Sequence, residues 1–430
     1  MPNDVTAGTP HKDLQDLRNL SRSPLHSFMR QTVQPTQRRP KTADMKAARF
    51  PALAAFAPTR IWAWFMTYVV NRFGPRTAFR DYTTRGSDTG VYRMPGGITG
   101  ETAGTGNDIR IAVAGDWGTG TDEAALVARQ IAKFDPHYTV HIGDIYYVGD
   151  AVEVDEHFLG IDNKDNNFDP VAWPLGSVGT FALSGNHEMY SRGKPYFTRI
   201  LPALGIKGGT PAGQGASFFC LENEFWRIVA VDTAYNSVGK PLLEYIVKPD
   251  CALPEPIITW LRDVVKLSPS DKRGLIILSH HQYYSAFDTW YTKSAMQLAP
   301  FLPRPVLWFW GHEHRMTVYE EFAAPGGPAV FGRCIGHGGM PNDLPLVNPP
   351  HPECTIRYID KREYPNDENL RIGYNGFVRF TFRGENLAIE YVDLHGEVVF
   401  TESWRVDNGT LVPMGLPVGR PVGRPVGRPV

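Results

Sequence analysis

Short apolar runs that stop at glycine alternate along this chain with stretches whose apolar residues recur at helical spacing. In IRIAVAGDWG, Ile109, Ile111 and Val113 read as a strand broken by a glycine turn, and TDEAALVARQIAKF after it places Ala125, Val127, Ala128 and Ile131 on one helical face. Thr121 or Asp122 is the expected N-cap. YTVHIGD follows Pro136, so the three pieces predict a β-α-β unit with parallel strands whose carboxyl ends share an edge. Further strands read at GTFALSGNH, FWRIVAVDTAYN, RGLIILSHHQ and VLWFWGHEH, and runs such as IILS and VLWFW suit strands covered on both faces. PEPIITWLRDVVKL predicts a helix begun by proline. GRCIGHGG, then the period-two alternation of GFVRFTFRGENLAIEYVDLHGEVVFTESWRV, predicts an antiparallel meander that finishes the domain.

This pattern divides the chain. Residues 1–48, polar and basic, are expected to stay mobile for want of apolar surface, and residues 49–107 form a helical and irregular extension. The main domain is expected over residues 108–406, with the Pro-rich stretch 341–372 as a loop over the carboxyl edge. Residues 407–430 form a low-complexity tail repeating Pro-Val-Gly-Arg. The most apolar segment outside the domain, RIWAWFMTYVVNRF at 60–73, falls short of the ~20 residues a membrane span needs. It reads as packing against the domain, with weak membrane-surface contact through its aromatic and Arg residues as the alternative.

Composition narrows the class of function. A formal net charge of -1 with 21% charged residues excludes a globally basic nucleic-acid binder, so no specific nucleic acid is expected. Four cysteines without CxxC spacing indicate neither a disulfide framework nor a zinc-thiolate site. The polar first twenty residues predict no secretory leader, and the expected location is the cytoplasm.

The chemistry collects where the strands end. Asp116, Asp144, Tyr147, Asn186, His187, His280, His281, His312 and His314 each follow an apolar run, and open α/β sheets bind ligands beyond the carboxyl ends of their strands. Taken singly, each has an ordinary structural reading as a turn or core residue. Together they form a set of carboxylate, phenol, amide and imidazole donors suited to Fe, Mn, Zn, Ni or Co, and larger than one tetrahedral ion needs. Two ions are therefore expected, with Asp144 as the bridging carboxylate. In GHEH, extended backbone sends His312 and His314 to one side, so that each ion can take one.

The ordered blocks GDWG, GDIYY, GNHE, ILSHH and GHEH resemble the five-block signature of the calcineurin-like metallophosphoesterases, in the purple acid phosphatase pattern. The resemblance runs from Ile109 to His314. It implies a four-layer αββα sandwich of α/β class, with the C-terminal meander as part of it. It also implies that Asp116, Asp144, Tyr147 and His314 hold one metal, and that Asp144, Asn186, His280 and His312 hold the second. Gly118, where many members carry a histidine ligand, fits the subgroup in which a tyrosine substitutes. Iron paired with Fe, Mn or Zn is the expected content.

The function implied is hydrolysis of a small phosphorylated substrate by attack of metal-bound hydroxide. Phosphomonoesters are the expected substrates, with phosphodiesters or nucleotides on the same site, or a non-catalytic binding module, as alternatives. His187 and His281 are the candidate catalytic histidines, set to meet the phosphate or protonate the leaving oxygen, with orientation of ligands as the competing role. Asn186 and His337 complete the candidate substrate contacts. Glu188 is expected to orient a neighbour, His141 to be a core histidine, and Tyr283, Tyr284, Phe287 and Trp290 to line the pocket or fill the core.

Overall fold

The computed structural model describes residues 74–94, 108–162, 170–239, 250–344, 349–364 and 372–415. The expectations for residues 1–73, including the membrane-surface reading of 60–73, and for the Pro-Val-Gly-Arg repeat lie outside them. No helix among the described residues is long and apolar enough to cross a membrane.

In chain order the strands are β1 (Val91–Arg93), β2 (Ile109–Ala114), β3 (Tyr138–His141), β4 (Gly179–Ala182), β5 (Gly205–Ile206), β6 (Phe219–Glu222), β7 (Trp226–Ala230), β8 (Gly274–Ser279) and β9 (Val306–Trp310). They continue with β10 (Met316–Phe322), β11 (Val330–Ile335), β12 (Ile356–Ile359), β13 (Gly376–Arg383), β14 (Asn386–Asp393), β15 (Val398–Asp407) and β16 (Thr410–Pro413). The main helices are α1 (Asp122–Phe134), α2 (Ala151–His157), α3 (Asn186–Tyr190), α4 (Glu255–Asp263) and α5 (Thr292–Leu298).

Two eight-stranded sheets result, ordered β1-β6-β7-β8-β9-β11-β10-β12 and β16-β15-β14-β13-β2-β3-β4-β5. The predicted β2-α1-β3 unit is parallel, and Thr121 caps α1 by accepting from the Ala124 amide at 3.2 Å. Strand alternation builds the layers. Ile109, Ile111 and Val113 of β2 join Ile228, Ile276, Leu278 and Phe309 of the other sheet in the core between the sheets. The alternate residues Ala112 and Ala114 face outward, under Val127 and Ile131 of α1. On the opposite outer face Val229, Ile277 and Trp308 pack beneath Trp260 and Leu261 of α4 and Leu298 of α5. Helices thus cover both faces of a sheet sandwich, the αββα architecture expected.

The element boundaries differ in places. Sheet pairing continues past residue 406, because Asn408 and Gly409, with φ of 50° and 86°, turn the chain so that β16 pairs with β15. Residues 91–93, inside the stretch expected to be a helical and irregular extension, form the edge strand of the first sheet, parallel to β6.

Candidate metal centre

The carboxyl ends of β2, β3, β4, β8 and β9 carry the GDWG, GDIYY, GNHE, ILSHH and GHEH turns, and their side chains converge. Asp116, Asp144 and His280 offer ligand atoms within 4.8 Å of one another, as do His280, His281 and His312. The turns are tight enough to require their glycines. A Cβ on Gly185 would stand 2.0 Å from Asp144 Oδ1, and one on Gly311 2.5 Å from Asp116 Oδ2. Three of the converging residues, Asp116, Asp144 and His312, hold left-handed backbone with φ of 57°, 72° and 67°. Such a conformation costs on the order of 1–3 kcal/mol per residue and persists where its surroundings enforce it.

Asp144 lies at the middle. Its Oδ1 accepts from the His187 amide at 3.0 Å, and its Oδ2 stands 3.2 Å from the Tyr146 hydroxyl, 3.3 Å from His280 Nε2 and 3.7 Å from His187 Nε2. Burial opposes the charge on this carboxyl, yet His280 and His187 hold it well below the usual carboxylate range. His280 donates from Nδ1 to the Ile142 carbonyl at 3.0 Å, which turns Nε2 toward Asn186 Oδ1 at 3.1 Å. Burial pushes the His280 imidazole down, but Asp144 prevails and holds it up at about 9, so a metal binding there must displace a proton. Asn186 donates its amide to the Tyr190 hydroxyl at 3.0 Å, leaving its oxygen on the site.

Tyr147 is the phenol expected from the sequence, and it is the Tyr146 hydroxyl that meets these donors. The Tyr146 hydroxyl donates to Asp116 Oδ1 at 2.8 Å and stands 3.0 Å from His314 Nε2. Burial first, then Asp116 and Asp144, keep it protonated far above the usual phenol range, so only a cation of some strength would release the proton. Tyr147 contributes backbone: its amide donates to Glu153 Oε1 at 2.5 Å and its carbonyl accepts from His187 Nδ1 at 2.6 Å. Replacing Tyr146 with phenylalanine is expected to abolish the visible tyrosinate-to-iron absorption of iron-loaded protein, whereas Tyr147→Phe keeps it. The reverse pattern in the two absorption spectra would return the phenol role to Tyr147.

His314 stands 3.5 Å from Asp116 Oδ1, and the His312 amide donates to Asp116 Oδ2 at 2.8 Å. His187 is buried, and with Nδ1 donating to Tyr147 it presents Nε2 to the centre. Burial lowers its pKa and so favours the neutral ring. His281 joins the cluster, its ring 4.5 Å from that of His312. The imidazole of His337 packs against Gly376, its carbonyl accepts from the Gly376 amide at 2.8 Å, and burial pushes its pKa down to about 4.

Two carboxylates flank the centre without belonging to it. Glu188 Oε2 accepts from the Gly185 amide at 2.6 Å and the Asp144 amide at 3.2 Å, pinning the GDIYY turn to the GNHE turn. Glu153 accepts from the amides of Tyr147 and Val148 and fixes the loop after Tyr146. Its position, three residues after the N-cap Asp150, is a capping-box signal carried by the sequence itself. Tyr283, Tyr284 and Phe287 fill the core beneath α5, and His141 lies buried among Trp117, Phe158 and Trp173.

Carboxylate, phenol, amide oxygen and imidazole converging on one edge fit a hard-to-borderline cation. Residues 109–316 match the family model of the calcineurin-like phosphoesterases. No curated protein sequence matches the chain. Among solved structures, GAP50, the anchor in the inner membrane complex of Plasmodium, is 16% identical, with 70% of this chain and 89% of that chain covered at a TM-score of 0.43. A structure of PhoD is 13% identical, covering 73% and 72% at 0.41. A predicted phosphoesterase from Streptococcus pneumoniae is 9% identical, covering 71% and 97% at 0.25. Residues 109–316 are therefore a calcineurin-like phosphoesterase region, and all five ligand turns lie inside it.

Proposed function

We propose that the protein is a dinuclear metal-dependent phosphohydrolase acting on small phosphate esters, monoesters foremost. The family implies divalent metal ions and chemistry at phosphoester bonds. The observation that carries the two-cation reading is the position of Asp144 Oδ2, 3.2 Å from Tyr146 on one side and 3.3 Å from His280 on the other. One carboxylate thus touches both halves of the donor set. In this reading Asp116, Asp144, Tyr146 and His314 hold one ion, and Asp144, Asn186, His280 and His312 the other. Iron with Fe, Mn or Zn suits these donors. When bound, two such ions neutralise phosphate oxygens and lower the pKa of water toward about 7.

The chain's own residues do the rest. His187, tied by Nδ1 to the Tyr147 carbonyl, takes a proton from solvent onto Nε2 as the phosphate dianion enters and can pass it to the leaving oxygen, a form of help typically worth about 10²–10⁴ in rate. Asp116 and Asp144 fix the ligand turns through their backbone contacts, and Glu188 holds Asp144 and Asn186 in register. The test is hydrolysis of a panel of aryl phosphate mono- and diesters and nucleotides by the full chain, with Fe, Mn and Zn each supplied. Metal-dependent turnover, greatest on monoesters, is expected. A protein that retains no metal and stays inert on the whole panel would overturn the proposal.

A further inference from the structure

His280, His281 and His312 bring one ligand nitrogen each within 4.8 Å of the others. Two imidazole nitrogens on one tetrahedral ion, at ~2.0–2.1 Å from it, lie about 3.3 Å apart, so closure of the three onto a single ion asks for movements of roughly 1 Å. Two of them belong to the second half of the centre described above. The third, His281, was read from the sequence as a catalytic or substrate-contacting residue, and its surroundings suit another role.

His281 is held as a metal ligand is held. Thr233 Oγ1 accepts from the His281 backbone amide at 3.0 Å and stands 3.1 Å from His281 Nδ1. With the hydroxyl donating to Nδ1, a cation at Nε2 has to displace the proton there; with Nδ1–H donating to the hydroxyl, Nε2 stands unprotonated, the form a cation requires. The Ile142 carbonyl accepts from Nδ1–H of His280. Thr233 is itself rigidly placed: Asp232 Oδ1 accepts from the amides of Ala234 and Tyr235, both at 2.8 Å, while Ser217 donates to Asp232 Oδ2 at 2.5 Å. Asp232, Thr233, Ser217 and His281 are all buried. The ring of His281 meets those of His280 and His312 at 4.8 Å and 4.5 Å, and Tyr291 closes its edge at 5.0 Å.

We infer that His281 is a third imidazole donor to the cation held by Asn186, His280 and His312, giving that half of the centre a three-histidine set. The inference rests on the two-cation reading above. It makes this half richer in nitrogen than the half with Asp116 and Tyr146, and so biased toward Zn or Co over Mn. A residue that only contacts substrate would leave metal binding untouched.

The experiment is titration of metal-free full-length protein with Co2+ alone, followed by visible absorption and by equilibrium competition with a chelator, for wild type, His281→Gln and Thr233→Val. Wild type is expected to take up two equivalents. His281→Gln should bind one of them weaker by roughly 100-fold or more, beyond the 10–100-fold that loss of an outer partner typically causes, with a changed absorption band for that equivalent and the other unaltered. Thr233→Val should weaken the same equivalent by a smaller factor. Unchanged circular dichroism of the metal-free variants separates these effects from misfolding, and partial recovery of the band in His281→Ala on adding imidazole covers the case in which glutamine packs badly. Two equivalents in wild type with an unaltered spectrum and a lesser affinity loss in His281→Gln would overturn this inference alone. A wild-type protein that takes up no cobalt overturns the two-cation reading and this inference with it.

Discussion

Asp144→Asn is expected to lower metal-dependent turnover by roughly 10³-fold or more while leaving the fold intact, an effect larger than the 10–100-fold that loss of an outer partner brings. Asparagine keeps the shape, and its oxygen can still accept from the His187 amide as Oδ1 does now at 3.0 Å. What disappears is the second anionic oxygen, which faces Tyr146 and His280. A neutral amide cannot bridge two cations, nor hold a charged His280. The second consequence can be measured without substrate. In metal-free wild type the His280 pKa is raised from 6.5 to about 9, with Asp144 overcoming the opposing effect of burial. A raised pKa contributes stability that is full below the unfolded value and is lost as pH rises through the folded one. Metal-free wild type should therefore lose stability between about pH 6.5 and 9, and that slope should be absent from Asp144→Asn. Urea unfolding across this range, beside steady-state hydrolysis with metal supplied, reads both. Turnover within tenfold of wild type would sink the bridging assignment.

The sequence exposed most of the centre for a physical reason. Each donor follows a short apolar strand, and a buried parallel strand can be read from its own few residues, as with IRIAVA and GLIILS. Parallel pairing then brings carboxyl ends to one edge whatever the intervening chain does. The approach of the Tyr146 hydroxyl was not legible, because strand alternation stops at Gly143 and Asp144, whose φ of 104° and 72° take the backbone out of the extended region. Beyond that break, no period chooses between two adjacent tyrosines. The same limit hid Thr233, 48 residues from His281, since a side-chain partner across a sheet leaves no local pattern. β10 and β12 went unread because their apolar content is mixed with polar residues, and pairing is what makes them strands, β10 with β11 and β12, and β12 with β10.

Breaking the ion pair between Arg333 and Glu402 is expected to be the most destabilising change outside the metal centre. Alternation on β11 sends Phe331, Arg333 and Ile335 to one face, and alternation on β15 does the same for Phe400, Glu402 and Trp404. Those are the facing inner surfaces of the two sheets, so a guanidinium and a carboxylate meet inside the apolar core. The geometry is bidentate, with Nε to Oε1 and Nη2 to Oε2 both at 2.7 Å. Arg333 Nη1 also donates to the carbonyls of Tyr319 and Gly332, and the Tyr391 hydroxyl donates to Glu402 Oε1 at 2.7 Å. Satisfaction on this scale offsets the desolvation of both charges, but only while both are present. Glu402→Gln leaves the guanidinium buried without its counter-charge, since Glu402 outweighs the burial that opposes the charge on Arg333. It should lower the unfolding free energy by about 3–5 kcal/mol, and Arg333→Met should do the same from the other side. The double variant Arg333→Met with Glu402→Leu removes both charges from an apolar surrounding that includes Phe331 and Trp404, and should recover most of the loss. Urea unfolding of the four proteins is the test: single variants within about 1 kcal/mol of wild type would show that water reaches the pair and that the two sheets do not depend on it.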